Sequence, residues 1–241
     1  MSASLQVQGY DAQGNEAVRP YTPISSNEVA GSFELLVKMY EKGVVSRWLG
    51  ELRPGALVGF KLEARDIRAQ YPFQGKTKIN MICGGTGVTP MYQILQAIAD
   101  EDEIEVVLLC GNRGKNDMLL REEIDELADS MTTWDSLDYF TRKGGVQAAS
   151  RRLTAVHVLG DRPDMPREGI YAIPNWDGEV GWIDKERVLK YCFPPAPDVL
   201  TFVCGVPGLY RTMCGARADP MVAEDSVLAE LGYSSDMVCK L

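Results

Sequence analysis

The sequence predicts two domains: a small antiparallel β-barrel, followed by an α/β domain built on a parallel sheet. Three observations carry this. Residues 1–75 hold short strand-like runs separated by turn residues at hairpin spacing. From Lys78 onward, apolar strand-like runs alternate with helical ones, the pattern of crossover units. Where the patterns meet, Lys78–Ala99 reads as strand, glycine turn and helix. The change of pattern falls near Phe73-Gln-Gly75, which gives domains over 1–75 and 76–241.

In the first domain Ser4 to Tyr10 alternates, and Asp11-Ala-Gln-Gly-Asn15 is a turn. Ala17 to Tyr21 leads to a second turn at Ser25 to Gly31. The run Ser32 to Tyr40 is the clearest strand. A short helix is expected from about Ser46 to Leu52, stopped by Arg53-Pro-Gly55, and Ala56 to Leu62 returns to strand.

In the second domain Ile79 to Cys83 is a nearly uncharged run of the kind buried in a parallel sheet. Gly84, Gly85 and Gly87 permit a tight turn and leave backbone bare to a ligand. Thr89 suits a helix cap and Pro90 a first helical position; Met91, Ile94, Leu95 and Ile98 then recur at helical spacing. Strands are expected over Glu103–Cys110, Leu153–Leu159 and Val199–Cys204. Helices are expected over Arg121–Ala128, Asp184–Tyr191, about Gly208–Cys214 and Ala223–Leu231. Asp129 to Arg152 is longer than a helix-to-strand link needs and reads as a surface insertion.

Bulk properties exclude several functions. At 241 residues, 45% hydrophobic and 24% charged, the chain is that of a soluble globular protein. A net charge of −9 argues against nucleic acid held by phosphate contacts, and weakly against a membrane surface. No apolar run of about 18 residues and no signal peptide is present, so no membrane span is expected. The six cysteines show no C-x-x-C spacing and there is one histidine, so no metal site is expected. Thiols in apolar runs fit a reducing compartment, cytoplasmic or mitochondrial.

Several motifs carry chemistry. A helix N-terminus opening onto Gly84-Gly-Thr-Gly87 favours phosphate through free amides and the helix dipole, although read alone it fits an ordinary turn equally well. In Arg19-Pro20-Tyr21-Thr22, a guanidinium can pair bidentately with a pyrophosphate and a phenol ring offers a flat face. The threonine hydroxyl can meet a ring nitrogen. Alone, this string is a strand ending in a proline turn. Leu36 and Lys38 share a strand face, where the lysine needs an anion or an exit to solvent. Gly43-Val44-Val45-Ser46 is either a helix cap or an amide cradle. Asp161, just past a strand, is placed to accept from ribose hydroxyls, though most such aspartates only cap loops. Cys204-Gly205-Val206-Pro207 closes the last crossover strand, and a buried structural thiol is the plain reading of Cys204.

Taken together, Gly84-Gly-Thr-Gly-Val-Thr-Pro90, Arg19-Pro-Tyr-Thr-Pro-Ile-Ser25 upstream and Val203-Cys-Gly-Val-Pro-Gly-Leu209 downstream resemble the ferredoxin reductase superfamily, and within it NADH-cytochrome b5 reductase. The resemblance covers nearly the whole chain. It implies an oxidoreductase that passes a hydride from NADH to FAD and then single electrons to a haem protein such as cytochrome b5, or to another one-electron acceptor. It implies Arg19 on the FAD phosphates, Tyr21 against the ring system, Leu36 in the flavin wall, and Pro20 among the cofactor-binding residues. Gly43, Val44, Val45 and Ser46 form the second flavin loop. Lys38 sits beside the flavin and the NADH phosphates, and Gly84, Gly85, Thr86, Gly87, Thr89 and Pro90 hold the nucleotide. Asp161 then selects NADH over NADPH. Thr22, near the flavin's reactive nitrogen, and Cys204, which orients the nicotinamide beside Gly205 and Pro207, are the candidate catalytic residues. The alternatives are a non-enzymatic NAD-binding subunit with a vestigial flavin domain, and an NADPH-dependent enzyme of the same fold.

The chain departs from the family pattern at four places. About 18 residues precede Arg19, so a barrel short of strands is expected. Glu63-Ala-Arg-Asp66 stands where the family has a Gly-Pro turn. Val206, Gly208 and Leu209 replace proline, proline and methionine. Leu241 stands where relatives commonly have an aromatic residue.

Overall fold

A computed structural model describes residues 3–64, 67–133, 150–160, 176 and 178–241. The first unit holds β1 (Ala3–Tyr10), β2 (Glu16–Tyr21), α1 (Val44–Glu51) and β3 (Phe60–Ala64). The strands form one antiparallel sheet in the order β2-β1-β3, the incomplete barrel that the sequence predicts. Leu5 and Val7 point to one face and are covered by Val45 and Leu49 of α1, one helical turn apart.

Two predicted strands of this unit are shortened. Ser32 to Tyr40 is not a continuous strand: it makes one bridge, Leu35 to Pro23, and one adjacent hydrogen bond, Ile24 N–H to the Glu34 carbonyl at 2.9 Å. The ladder stops because Pro23 has no N–H to donate and β2 has already ended. Ala56 to Leu62 pairs only from Phe60, after Gln8 N–H meets the Gly59 carbonyl at 2.9 Å.

The second unit runs β4 (Lys78–Gly84), α2 (Val88–Ile98), β5 (Glu105–Asn112), α3 (Arg121–Ser130), β6 (Thr132–Thr133), β7 (Ser150–Arg151), β8 (Leu153–Leu159), β9 (Glu179–Val180), α4 (Lys185–Tyr191), β10 (Val199–Cys204), α5 (Pro207–Met213), α6 (Val227–Glu230) and β11 (Val238–Lys240). Its parallel sheet has the order β11-β10-β4-β5-β8-β9. Alternation along each strand splits the core in two. Met81, Leu108 and Phe202 pack under α2 and α3, while Ile82, Leu109 and Val203 pack under α4, α5 and α6. Phe73 crosses from the connecting segment into the first of these cores, edge-on to Phe202 at 5.7 Å.

The chain leaves β4 toward β5 and β8, then returns to the other flank of β4 with β10. The carboxyl ends of β4 and β10 therefore flank a point where the winding reverses, and open sheets of this kind leave a crevice there. Helix α6 is shorter than the predicted Ala223–Leu231, because Ser226 N–H closes a turn on the Ala223 carbonyl at 3.0 Å first. The two-residue β9 and three-residue β11 carry too little periodicity to be read from sequence. The ends of the long α3-to-β8 connection pair as β6 and β7; its residues 134–149 lie outside the described residues, as does Asp161.

Candidate functional site

A cleft of about 560 Å³ opens where the carboxyl ends of β4 and β10 face the first unit. From the first unit it is lined by Arg19, Pro20, Tyr21 and Thr22, by Leu36 and Lys38, and by Gly43 to Ser46. From the second unit come Thr86, Gly87, Thr89 and Pro90, together with Cys204 and Gly205. Gly84, Gly85 and Pro207 are not in the lining: Gly84 ends β4 opposite Gly111, and Pro207 opens α5.

Each wall follows from local structure. Arg19 and Tyr21 alternate along β2, in register with Val7 and Leu5 of β1. The Arg19 guanidinium donates to the Val18 carbonyl at 2.7 Å and is otherwise exposed. Burial pushes the Tyr21 phenol up, so it stays protonated at neutral pH. Thr22, just past the strand, is buried.

Gly43 is the cap residue of α1, and the first amides of that helix have no acceptor within it. A Cβ on Gly43 would stand 2.3 Å from the Ser46 hydroxyl, which accepts from Tyr40 N–H at 3.3 Å. A side chain at Gly43 would displace that hydroxyl from the turn.

The β4-to-α2 turn is a 3-10 turn over Gly85–Gly87, with Gly85 at φ 55°. It runs directly into α2, so the helix starts at Val88 with Gly87 at the cap. That corrects the predicted cap: the Thr89 hydroxyl turns back and donates to the Thr86 carbonyl at 3.0 Å, and Pro90 is the third helical residue. A Cβ on Gly87 would meet the Cys204 carbonyl oxygen at 2.2 Å, and one on Gly205 would meet Gly84 N at 3.2 Å. The two loops thus touch backbone to backbone, which requires glycine at 87 and makes a side chain at 205 tight.

The cleft's charge is opposite to the chain's. Arg19, Lys38, Lys42, Arg217 and Lys240 line it against one acidic side chain among the described residues, Glu63, although the net charge is −9. Lys38 bridges to Asp117, which follows β5, at 2.5 Å and so ties the first unit to the second. Guanidinium, ammonium and free helix amides form a donor set suited to phosphates, so the residues present fit the phosphates of a dinucleotide.

Sequence reasoning did not single out Ser4, Tyr40, Lys42, Glu63, Tyr210, Arg217 or Lys240 as lining residues, and noted Leu241 only as a departure. Lys240 and Leu241 arrive through β11. There Lys240 donates to the carbonyls of Ala216, Asp219 and Met221 at 2.8–2.9 Å, and the Tyr210 hydroxyl donates to the Leu241 carbonyl. No local signal marks these positions. Among the described residues no cluster could hold a metal ion, and no helix is long and apolar enough to cross a membrane. None of the six cysteines forms a disulfide.

Comparison with known proteins agrees with this architecture. The oxidoreductase FAD-binding domain family matches residues 3–68, and the oxidoreductase NAD-binding domain family matches residues 81–159. The chain is 32% identical over 243 residues to NADH-cytochrome b5 reductase 2 of Meyerozyma guilliermondii, covering 99% of this chain and 72% of that protein. It is 33% identical to the Debaryomyces hansenii protein of the same name, covering 95% and 68%. Among solved structures, the cytochrome b5 reductase domain of Ulva prolifera nitrate reductase superposes with a TM-score of 0.70 at 22% identity, covering 99% of this chain and 84% of that one. A ferredoxin NADP+ reductase from Neisseria gonorrhoeae, with bound FAD and NADP, superposes with a TM-score of 0.65 at 14% identity, covering 99% and 85%.

Proposed function

The chain belongs to the NADH-cytochrome b5 reductase family, and from that premise we propose that its cleft carries reducing equivalents from NADH through FAD to a haem protein of the cytochrome b5 kind or a similar one-electron acceptor. It is an FAD-dependent NADH oxidoreductase. FAD, when bound, supplies the conversion of a two-electron hydride into single electrons, which no side chain here can perform.

The single observation that carries the proposal is convergence. One cleft collects the arginine and tyrosine of β2 with the threonine just past it, the amides of α1, the glycine turn of β4 and the Cys204 turn of β10. In this reading Arg19 and the first amides of α1 hold the pyrophosphate of FAD. Tyr21 and Leu36 wall its ring, and the Thr22 hydroxyl faces the reactive edge. Thr86, Gly87 and the start of α2 hold the nucleotide of NADH. Cys204 and Gly205 position the nicotinamide, and Leu241 closes the cleft from the β11 side. The chain's contribution is to bind, to orient and to shed water, which brings the two rings within reacting distance.

The deciding experiment is spectroscopic. Purified protein should carry near-stoichiometric FAD, bleach under NADH without oxygen, and then reduce a soluble cytochrome b5. A flavin-free protein that binds NADH would leave only a nucleotide-binding role. For the choice of nucleotide, we propose a preference for NADH of at least roughly tenfold, about 1.4 kcal/mol. It is supported by the acidic Asp161 just after β8 in sequence; Arg162 and Arg167, close by in sequence, oppose it by offering a 2′-phosphate a partner. Asp161→Ser should narrow the ratio of kcat/KM values, mainly by improving NADPH. An unchanged ratio removes Asp161 from the assignment.

A further inference from the structure

Three thiols and the chain's one histidine stand in a single row across the parallel sheet. Register places Cys204 of β10 beside Cys83 of β4, Cys83 beside Cys110 of β5, and Cys110 beside His157 of β8. Register partners share a face, here the one under α2 and α3. The row begins at Cys204 in the cleft and ends where His157 Nε2 lies 3.5 Å from the Asp125 carboxylate. We propose that Cys83 and Cys110 are a redox-active pair that hydrogen peroxide closes to a disulfide, and that the closed form binds NADH more weakly.

Geometry comes first. Neighbouring strands lie about 4.8 Å apart, inside the range of about 4.4–6.8 Å that a disulfide spans between Cα atoms. The electrostatics point the same way. The Cys83 thiol, bonded to the Cys110 sulfur, and then His157 hold Cys110 below the ordinary thiol range against its burial, and Asn112 also donates to it at 3.5 Å. Cys83, the other end of that bond, keeps its proton. Burial opposes charge on His157, but the Cys110 sulfur and then Asp125 outweigh it and raise its pKa. By contrast, burial pushes Cys192 up to about 12 and Cys214 up to about 11, so those thiols are inert.

The step balances. The Cys110 sulfur takes one peroxide oxygen, the O–O bond breaks, and the departing hydroxide takes a proton from His157. The Cys83 sulfur then attacks the Cys110 sulfur and breaks its S–O bond; the Cys83 proton goes to the departing hydroxide, which leaves as water as the S–S bond forms. Two thiols are oxidised by two electrons and peroxide becomes two waters. Both sulfurs are buried, which selects for a small neutral oxidant. The bond would pin β4 to β5 immediately before the Gly84–Gly87 turn. The effect on NADH rests on the reading of the cleft given above; the disulfide itself does not.

The test uses the FAD-loaded protein, treated with peroxide, quenched with catalase and analysed without reductant. The expected result is an intact mass lower by two hydrogens, a Cys83–Cys110 crosslinked peptide, reversal by dithiothreitol, and a KM for NADH raised at least about threefold. Cys110→Ser should lose the crosslink and Cys192→Ser should keep it. Both cysteines recovered as thiols, a crosslink elsewhere, or a crosslinked protein with parental KM would overturn the proposal. Protein that never reacts with NADH yet forms the crosslink would instead point to a failure of the cleft's assignment.

Discussion

At the scale of single residues, the cleft depends on groups whose neighbours leave them one role. Among the described residues, the one hydrogen bond of the exposed Arg19 guanidinium is to its neighbour's carbonyl, which leaves its charge facing the cleft. Arg19→Ala should therefore weaken FAD retention by about 1.5–3 kcal/mol, the size of a charge-assisted contact, while leaving the affinity for NADH near parental. The ratio of flavin to protein absorbance after gel filtration reads this directly; equal retention would refute it. Gly87 and Gly85 fail for different reasons. At Gly87 a methyl group would collide with the Cys204 carbonyl, a backbone atom that cannot swing aside. Gly87→Ala should slow flavin reduction by NADH by about 100-fold through displacement of the two turns, with FAD still bound. At Gly85 the space is open but φ is 55°, so Gly85→Val costs about 1–2 kcal/mol in the backbone and disturbs the turn's amides. Stopped-flow reduction of both variants checks the order: Gly87→Ala reacting at parental rate would sink the packing argument.

At the scale of elements, β4 is the central strand of the reversal, and one polar residue anchors it. Asn80 is fully buried. Its amide accepts from Phe193 N–H at 2.9 Å and donates to the Phe193 carbonyl at 3.1 Å and to Thr201 at 3.3 Å. This clips the α4-to-β10 connection against β4, so that β10 arrives in register. Asn80→Ala strands the Phe193 N–H and should cost about 1–3 kcal/mol, visible as a lower urea midpoint with an unchanged slope. An unaltered midpoint would show that water replaces the amide. Most elements of this unit were legible beforehand, and β8 and β10 match their predicted bounds, because strands buried on both faces read as apolar runs. In the first unit Ser32 to Tyr40 has the right alternation but lacks a neighbour with N–H groups to pair with, and a sequence pattern does not report its partner's ladder.

At the scale of the whole molecule, the two units meet across the cleft, and among the described residues Lys38, which lines it, pairs with Asp117 of the second unit. Both side chains are about a quarter exposed or more, at 26% and 30%, so the pair contributes less than about 1 kcal/mol to stability. Its weight lies in geometry. Asp117→Asn should leave the melting temperature almost unchanged while altering the rate at which NADH reduces the flavin, since the lysine is released into the cleft. A variant with parental kinetics would make the bridge ornamental.

What the sequence determined by itself is whatever depends on near neighbours along the chain. This includes the parallel-sheet periodicity, the glycine turn entering α2, the Arg19–Thr22 strand end and the presence of the short helix α1, although its cap is Gly43 and not the expected Ser46. What only the tertiary structure decided is which of these meet. The reversal of strand order between β4 and β10 sets the turn at Gly87 against Cys204, more than a hundred residues away. The register of β4, β5 and β8 lines up Cys83, Cys110 and His157, and β11 carries Lys240 and Leu241 into the cleft. The reason is physical. Local propensity and hydrophobic period are short-range properties, written into a few adjacent residues. Strand order and register are set by the packing of a whole sheet between two layers of helices, and no short stretch of sequence holds that information.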